Sequence, residues 1–163
     1  MVFHIPLIFL LMFTDFPFFV APAVTYGLVT GLGVIELTAI YLVAGLLQTP
    51  IFYYWKPNAL VRSSIGKNVE EQLTLHGSFL GSIYGNLLTE TWSVGAVAGN
   101  RKDGLGSVLV GVTISNLLFI ATIFVVAIAL QMSGIDLLYQ YIAGSLIIGV
   151  GWTVVSYTER KLG

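Results

Sequence analysis

The sequence has no cysteine, which excludes disulfides, thiolate metal sites and cysteine nucleophiles. Histidine occurs only at His4 and His76, too far apart along the chain for a histidine cluster, so no metal site is expected. Charge is scarce. Asp, Glu, Lys and Arg make up 9% of the 163 residues, with a net charge of −1, against about a quarter in an ordinary soluble domain. There is no basic patch, so nucleic-acid binding is not expected. No N-x-S/T sequon occurs. With no room for a soluble catalytic domain and no visible nucleophile–base pair, neither an enzyme nor a cofactor is expected.

What the chain does have is apolar length. Apolar residues make up 56%, and the mean hydropathy is +0.91. A soluble protein of this composition could not cover its surface. The expectation is an all-α polytopic membrane protein: one integral domain over residues 1–163, with about three to five membrane segments. A bilayer-spanning helix needs about 20 apolar residues. The clean runs 107–131 and 137–158 meet that length, and Gly134 and Asp136 mark the turn between them. The segment 34–55 is a third span.

Lys and Arg lie at 56–67, 101–102 and 160–161. The positive-inside rule places all three groups, including the C-terminus and the 56–76 loop, on the cytoplasmic side, as expected of a prokaryotic cytoplasmic membrane. Both flanks of 77–100 are then on one side, and the stretch is too short to cross twice. It reads as a re-entrant hairpin or a surface helix, the alternative being a plain span with the charge rule broken. Gly77, Gly81, Gly85, Gly95 and Gly99 fit a hairpin buried among helices, because irregular backbone at membrane depth needs shielding. Pro6, Pro17 and Pro22 argue against one straight helix before residue 33, so a helix-break-helix hairpin is expected there too. Ala21-Pro22-Ala23 imitates a cleavage site. The first residues carry no Lys or Arg, however, and a signal peptide is not expected.

A weak internal repeat accompanies these hairpins. Leu11-Met12-Phe13-Thr14-Asp15 resembles Asn86-Leu87-Leu88-Thr89-Glu90, and Gly31-Leu32-Gly33 matches Gly104-Leu105-Gly106. Each Gly-Leu-Gly precedes a long apolar span. Repeat halves 6–55 and 77–131, running in opposite directions, would make an inverted repeat, an architecture common in transporters.

Asp15 and Glu90 are the candidate proton or substrate carboxyls, because intramembrane acids usually face a cavity or a partner. The plainer readings are solvation at a hairpin mouth or capping of a half-helix. Asn116, with Thr113 and Ser115, is unusual in an apolar run and is a candidate to face a cavity or bridge helices. Arg101 is a candidate for an anionic headgroup, or simply a topology determinant with Lys102. The spacing of Gly77, Gly81 and Gly85, repeated at Gly95 and Gly99, predicts small-residue stripes for close helix packing or homodimerisation. Val61, Ile65, Val69 and Leu73 recur every four residues, predicting an amphipathic helix across 56–76 at the cytoplasmic interface. Tyr53, Tyr54 and Trp55 read as interfacial anchors.

The pieces Thr14-Asp15-Phe16-Pro17 with Pro22, Glu90 through Val94-Gly95-Ala96-Val97-Ala98-Gly99, and Gly111-Val112 resemble the small multidrug export family, itself similar to the DedA (SNARE-associated) membrane proteins. Here the first acid is Asp where Glu is expected. No proline follows Glu90, and no arginine follows it until Arg101. The resemblance implies two re-entrant hairpins facing each other and secondary transport or lipid-carrier translocation. The expected function is a small secondary transporter or lipid-carrier translocase, proton-coupled through its carboxylates, with membrane lipid as a partner and acting as a homo-oligomer. The alternative is a non-catalytic structural subunit of a larger membrane complex.

Overall fold

A computed structural model describes residues 4–14 and 17–136, together with 139–140, 142–144, 146–147, 150 and 154. Among the described residues the regular structure is helical throughout. The helices are α1 (His4–Phe13), α2 (Pro17–Val29), α3 (Val34–Trp55), α4 (Asn58–Val61), α5 (Ser64–Leu88), α6 (Thr91–Arg101) and α7 (Leu105–Met132). Two of them, α3 and α7, are long and apolar enough to cross a membrane. Only 33% of the most apolar window of α3 and 39% of that of α7 is buried. A core helix of a soluble protein would be mostly buried. Here Ile35, Leu46, Leu47 and Ile51 on α3, and Val110, Leu118, Val125 and Ile128 on α7, are exposed.

The chain divides into two compact units, Met1–Tyr41 with Phe119–Gly163, and Leu42–Leu118. The boundaries fall inside α3 and α7. In the first unit α1 and α2 form a helical hairpin. Pro6 and Pro17 sit where helices tolerate proline, in the first turn of α1 and at the first position of α2, where the missing amide would lack a partner anyway, whereas Pro22, expected to break the segment, lies inside α2. His4 hydrogen-bonds the hydroxyl of Tyr26 across the open end of the hairpin, with their rings edge-on at 5.5 Å. Ile8, Met12, Val20 and Val24 pack with Leu37 and Tyr41 of α3 and with Ile120, Ile123 and Phe124 of α7. Beyond the turn at Gly134 (φ 68), the described residues between 139 and 154 are helical. Gly144 lies beside Leu130. Much of the expected span 137–158, with the basic tail, lies outside the described residues.

In the second unit α5 is not one helix. Gly77 interrupts it at φ 75, ψ 175, a backbone open to glycine but strained for other residues. The expected stripe Gly77–Gly81–Gly85 is therefore broken at its first member, which faces open space while the other two are buried. Residues 78–88 run up to a second break at Thr89-Glu90, and α6 returns. Gly85 lies against Val94 partway along. At the base, Ser78 Oγ donates to Asp103 Oδ1 at 2.9 Å, and Arg101 Nη1 donates to Thr74 Oγ1 at 2.6 Å. The chain thus leaves and returns at one end, as a hairpin does. Its return helix has 11 residues, about 16 Å at 1.5 Å per residue. That is half the roughly 30 Å of a hydrocarbon core.

Two glycine-based ladders seat this hairpin. Along α6, Thr91, Gly95 and Gly99 meet Gly45, Thr49 and Tyr53 of α3 in turn. A Cβ on Gly95 would stand 2.7 Å from the Thr49 carbonyl oxygen, and one on Gly99 would overlap that of Tyr53. Along 78–88, a Cβ on Gly111 of α7 would meet the Phe79 carbonyl oxygen at 2.6 Å, and Asn86 bonds Ser115 one turn further on. The expected amphipathic helix is residues 64–76. Its Val69 and Leu73 are buried against the hairpin, and Gly81 lets it approach: a Cβ there would lie 2.6 Å from Gln72 O and Leu73 Cα. Its apolar face is thus covered by the chain itself.

Candidate functional site

The closed end of the second hairpin gathers polar side chains that nothing in an apolar bundle requires. Asn86 comes from residues 78–88, Thr89 and Glu90 from the break, Thr91 and Ser93 from the first turn of α6, and Ser115 and Asn116 from the middle of α7. All are buried. Gln48 and Thr49, buried on α3, lie one turn beyond Gly45, the residue against which Asn116 Nδ2 rests.

The Asn86 amide donates to Ser115 Oγ and, at 2.7 Å, to Asn116 Oδ1. Thr91 Oγ1 donates to the same Asn116 oxygen at 3.4 Å. Ser115 Oγ passes its own proton to the Val112 carbonyl at 3.0 Å. Glu90 Oε2 accepts from Ser93 Oγ at 3.4 Å. Thr89 and Thr49 instead satisfy carbonyls of their own helices, at Gly85 and Gly45. Asn86 Oδ1 is left buried, with no hydrogen-bond partner among the described residues. An unmade hydrogen bond on a buried acceptor costs about 1–3 kcal/mol, and the donors among the described residues leave this one unmade.

The helix break explains the placement of Glu90. It has extended backbone (φ −130, ψ 152) and stands at the N-cap of α6, but its carboxylate makes no capping bond. Capping, one of the plainer readings of this acid, is not what the side chain does. At 2% exposure it is not solvated at a hairpin mouth either. The carboxyl sits at the positive end of an 11-residue helix, where a negative charge is favoured.

Of the residues singled out in the sequence, Glu90 and Asn116 come together in this cluster, linked through Thr91. Arg101 does not join them. It sits at the opposite end of α6, with Nε 3.0 Å from Asp103 Oδ2, and helps close the hairpin base. Tyr53 adds to that closure by donating its hydroxyl proton to the Asp103 carbonyl. Asp15 lies outside the described residues. Gly81, Gly85, Gly95 and Gly99 are buried in contacts within the chain. Trp92 packs beside Phe52, with 5.9 Å between ring centroids and the ring planes tilted by 53°. Sequence reasoning missed Asn86, Thr91 and Ser93 as members of the site. Their signal was present: polar side chains flanking an acid within a stretch free of other charge. The chain matches no protein-family model, and no curated protein or solved structure is significantly similar to it.

Proposed function

We propose that this chain is a small membrane transporter or lipid-carrier translocase in which Glu90, at the tip of a re-entrant helical hairpin, is the proton- or substrate-binding carboxyl. The observation that carries the reading is the buried Glu90–Thr91–Asn116–Asn86 cluster at the closed end of a half-membrane-length hairpin. With the hairpin base at the membrane surface, 11 residues of helix put the acid about 16 Å deep, close to the midplane of the bilayer. Interrupted helices at that depth are where secondary transporters place substrate and ions. An acid held there is costly unless it serves a cavity or a partner. The α1–α2 hairpin and α3 after it repeat the order hairpin, Gly-Leu-Gly, long helix. That order is the sense in which an inverted repeat and the resemblance to the small multidrug export and DedA-like proteins belong to this proposal. Gly81, Gly85, Gly95 and Gly99 give no support to a homodimer, because they are occupied within the chain.

The test is reconstitution into vesicles under an imposed pH gradient, with ethidium and a fluorescent phospholipid as the two probes. The wild-type chain should move one of them, and Glu90→Gln should abolish the gradient-driven movement. Asn116→Ala should reduce it at least tenfold. If the wild type and Glu90→Gln both behave as empty vesicles do with both probes, the cluster is a packing device. The chain is then better read as a structural subunit of a membrane complex.

A further inference from the structure

At the base of the second hairpin is a cleft of about 440 Å³, lined by Asn58, Val61, Arg62, Lys67, Glu70 and Asn100. It lies among α4, the first turns of α5 and the last turn of α6. The volume is within the roughly 300–1,000 Å³ of small-ligand sites. Two cations and one acid line it. Among the described residues neither Arg62 nor Lys67 makes an ion pair with Glu70 or any other acid, the ion pair of this region being Arg101–Asp103. The cleft therefore presents net positive charge and two uncommitted amides, Asn58 and Asn100. Together these offer both the charge and the neutral donors that a tetrahedral oxyanion takes.

Its depth in the membrane follows from its neighbours. Tyr54 and Trp55, at the end of α3, are 71% and 67% exposed. Exposed Tyr and Trp at the end of a membrane helix sit at headgroup level. Asn58 and Arg62 follow within two turns of chain. The apolar side of residues 64–76 is covered by the hairpin, so this helix is held to the protein and its charged residues Lys67, Glu70 and Glu71 are left exposed.

We propose that this cleft binds a phosphate group through Arg62 and Lys67, and that the phosphate is that of an anionic phospholipid headgroup. Bound there, the lipid fixes α4 and the 64–76 helix against the end of α6, at the base of the hairpin that carries Glu90. The inference rests on the membrane placement proposed above, but not on transport or on Glu90.

The test uses the full chain, purified in non-ionic detergent and stripped of lipid. Binding is measured for dihexanoyl phosphatidylglycerol, for dihexanoyl phosphatidylcholine and for inorganic phosphate. The phosphatidylglycerol should bind at least tenfold more tightly than the phosphatidylcholine. Arg62→Gln with Lys67→Gln should weaken it at least tenfold, and Glu70→Gln should tighten it about threefold by removing the opposing charge. All three side chains are exposed, so the variants should melt with the wild type in the absence of ligand. Inorganic phosphate binding as tightly as the lipid would support the anion site and assign it to a soluble phosphate. Equal affinity of the wild type and the double variant for phosphatidylglycerol would overturn the proposal, as would equal affinity for the two lipids. Extraction of the chain from native membranes by alkaline carbonate would refute the membrane placement separately.

Discussion

Replacing Gly99 with alanine tests the seating of the hairpin on α3. A Cβ at Gly99 would overlap the carbonyl oxygen of Tyr53, with the Tyr53 carbonyl carbon at 2.7 Å and Cα at 2.9 Å. Comfortable carbon contacts lie at about 3.5–4.0 Å. All the opposing atoms are helix backbone, so no side chain can rotate aside. Relief requires α6 to lift from α3 by roughly an ångström, which would also open the neighbouring Gly95–Thr49 approach and the Phe52–Trp92 contact. Overpacking of this kind costs about 1–3 kcal/mol. The control is Gly106→Ala. It lies in the first turn of α7, where a Cβ would meet nothing within 4 Å, and alanine is the better helix former by up to about 1 kcal/mol. Thermal unfolding in detergent micelles should therefore rank Gly106→Ala at or above the wild type and Gly99→Ala well below it. A Gly99→Ala chain as stable as the wild type would refute the ladder between α6 and α3.

Other substitutions probe the remaining joints. Gly77→Ala meets no neighbour but must hold φ 75 with ψ 175, a region essentially confined to glycine, so it should cost about 1–3 kcal/mol through backbone strain alone, read by the same melting assay. Asn86→Ala removes the donor shared by Ser115 and Asn116 and should cost about 1–3 kcal/mol, with any transport loss separable from it at temperatures where the variant stays folded. Tyr53→Phe loses one hydrogen bond to the Asp103 carbonyl, about 0.5–1.5 kcal/mol. Asp103→Asn breaks an ion pair whose side chains are 27% and 13% exposed. Its effect should stay below about 1 kcal/mol and shrink as salt is raised.

Much of this arrangement can be read from residue order. The long runs after each Gly-Leu-Gly are α3 and α7, and the glycine-rich stretch 77–100 has hairpin geometry because charge at both flanks and small residues within leave few other paths. The break at Thr89-Glu90 is marked by an acid inside an uncharged segment. The kink at Gly77 is not legible. A glycine in a four-residue spacing suits a packing stripe as well as a helix break, and only its φ distinguishes them. The partners of the stripes are equally hidden, because a small residue states that something comes close but not what. Asn86 illustrates the same limit. Its polarity is evident, whereas its pairing with Ser115 and Asn116 depends on residues 78–88 and α7 running side by side over two turns. The isolation of Arg101 from Glu90 likewise follows from α6 being a full helix between them.

In the proposed arrangement residues 78–101 enter and leave the membrane on one face, carrying Glu90 to the closed end. The absence of native cysteine makes this directly measurable. Single cysteines placed at His76 and Lys102, both exposed, would be labelled in sealed vesicles of known orientation with a membrane-impermeant thiol reagent. Both positions should be labelled from the same face. Labelling of the two from opposite faces would make the segment an ordinary span and refute the re-entrant hairpin.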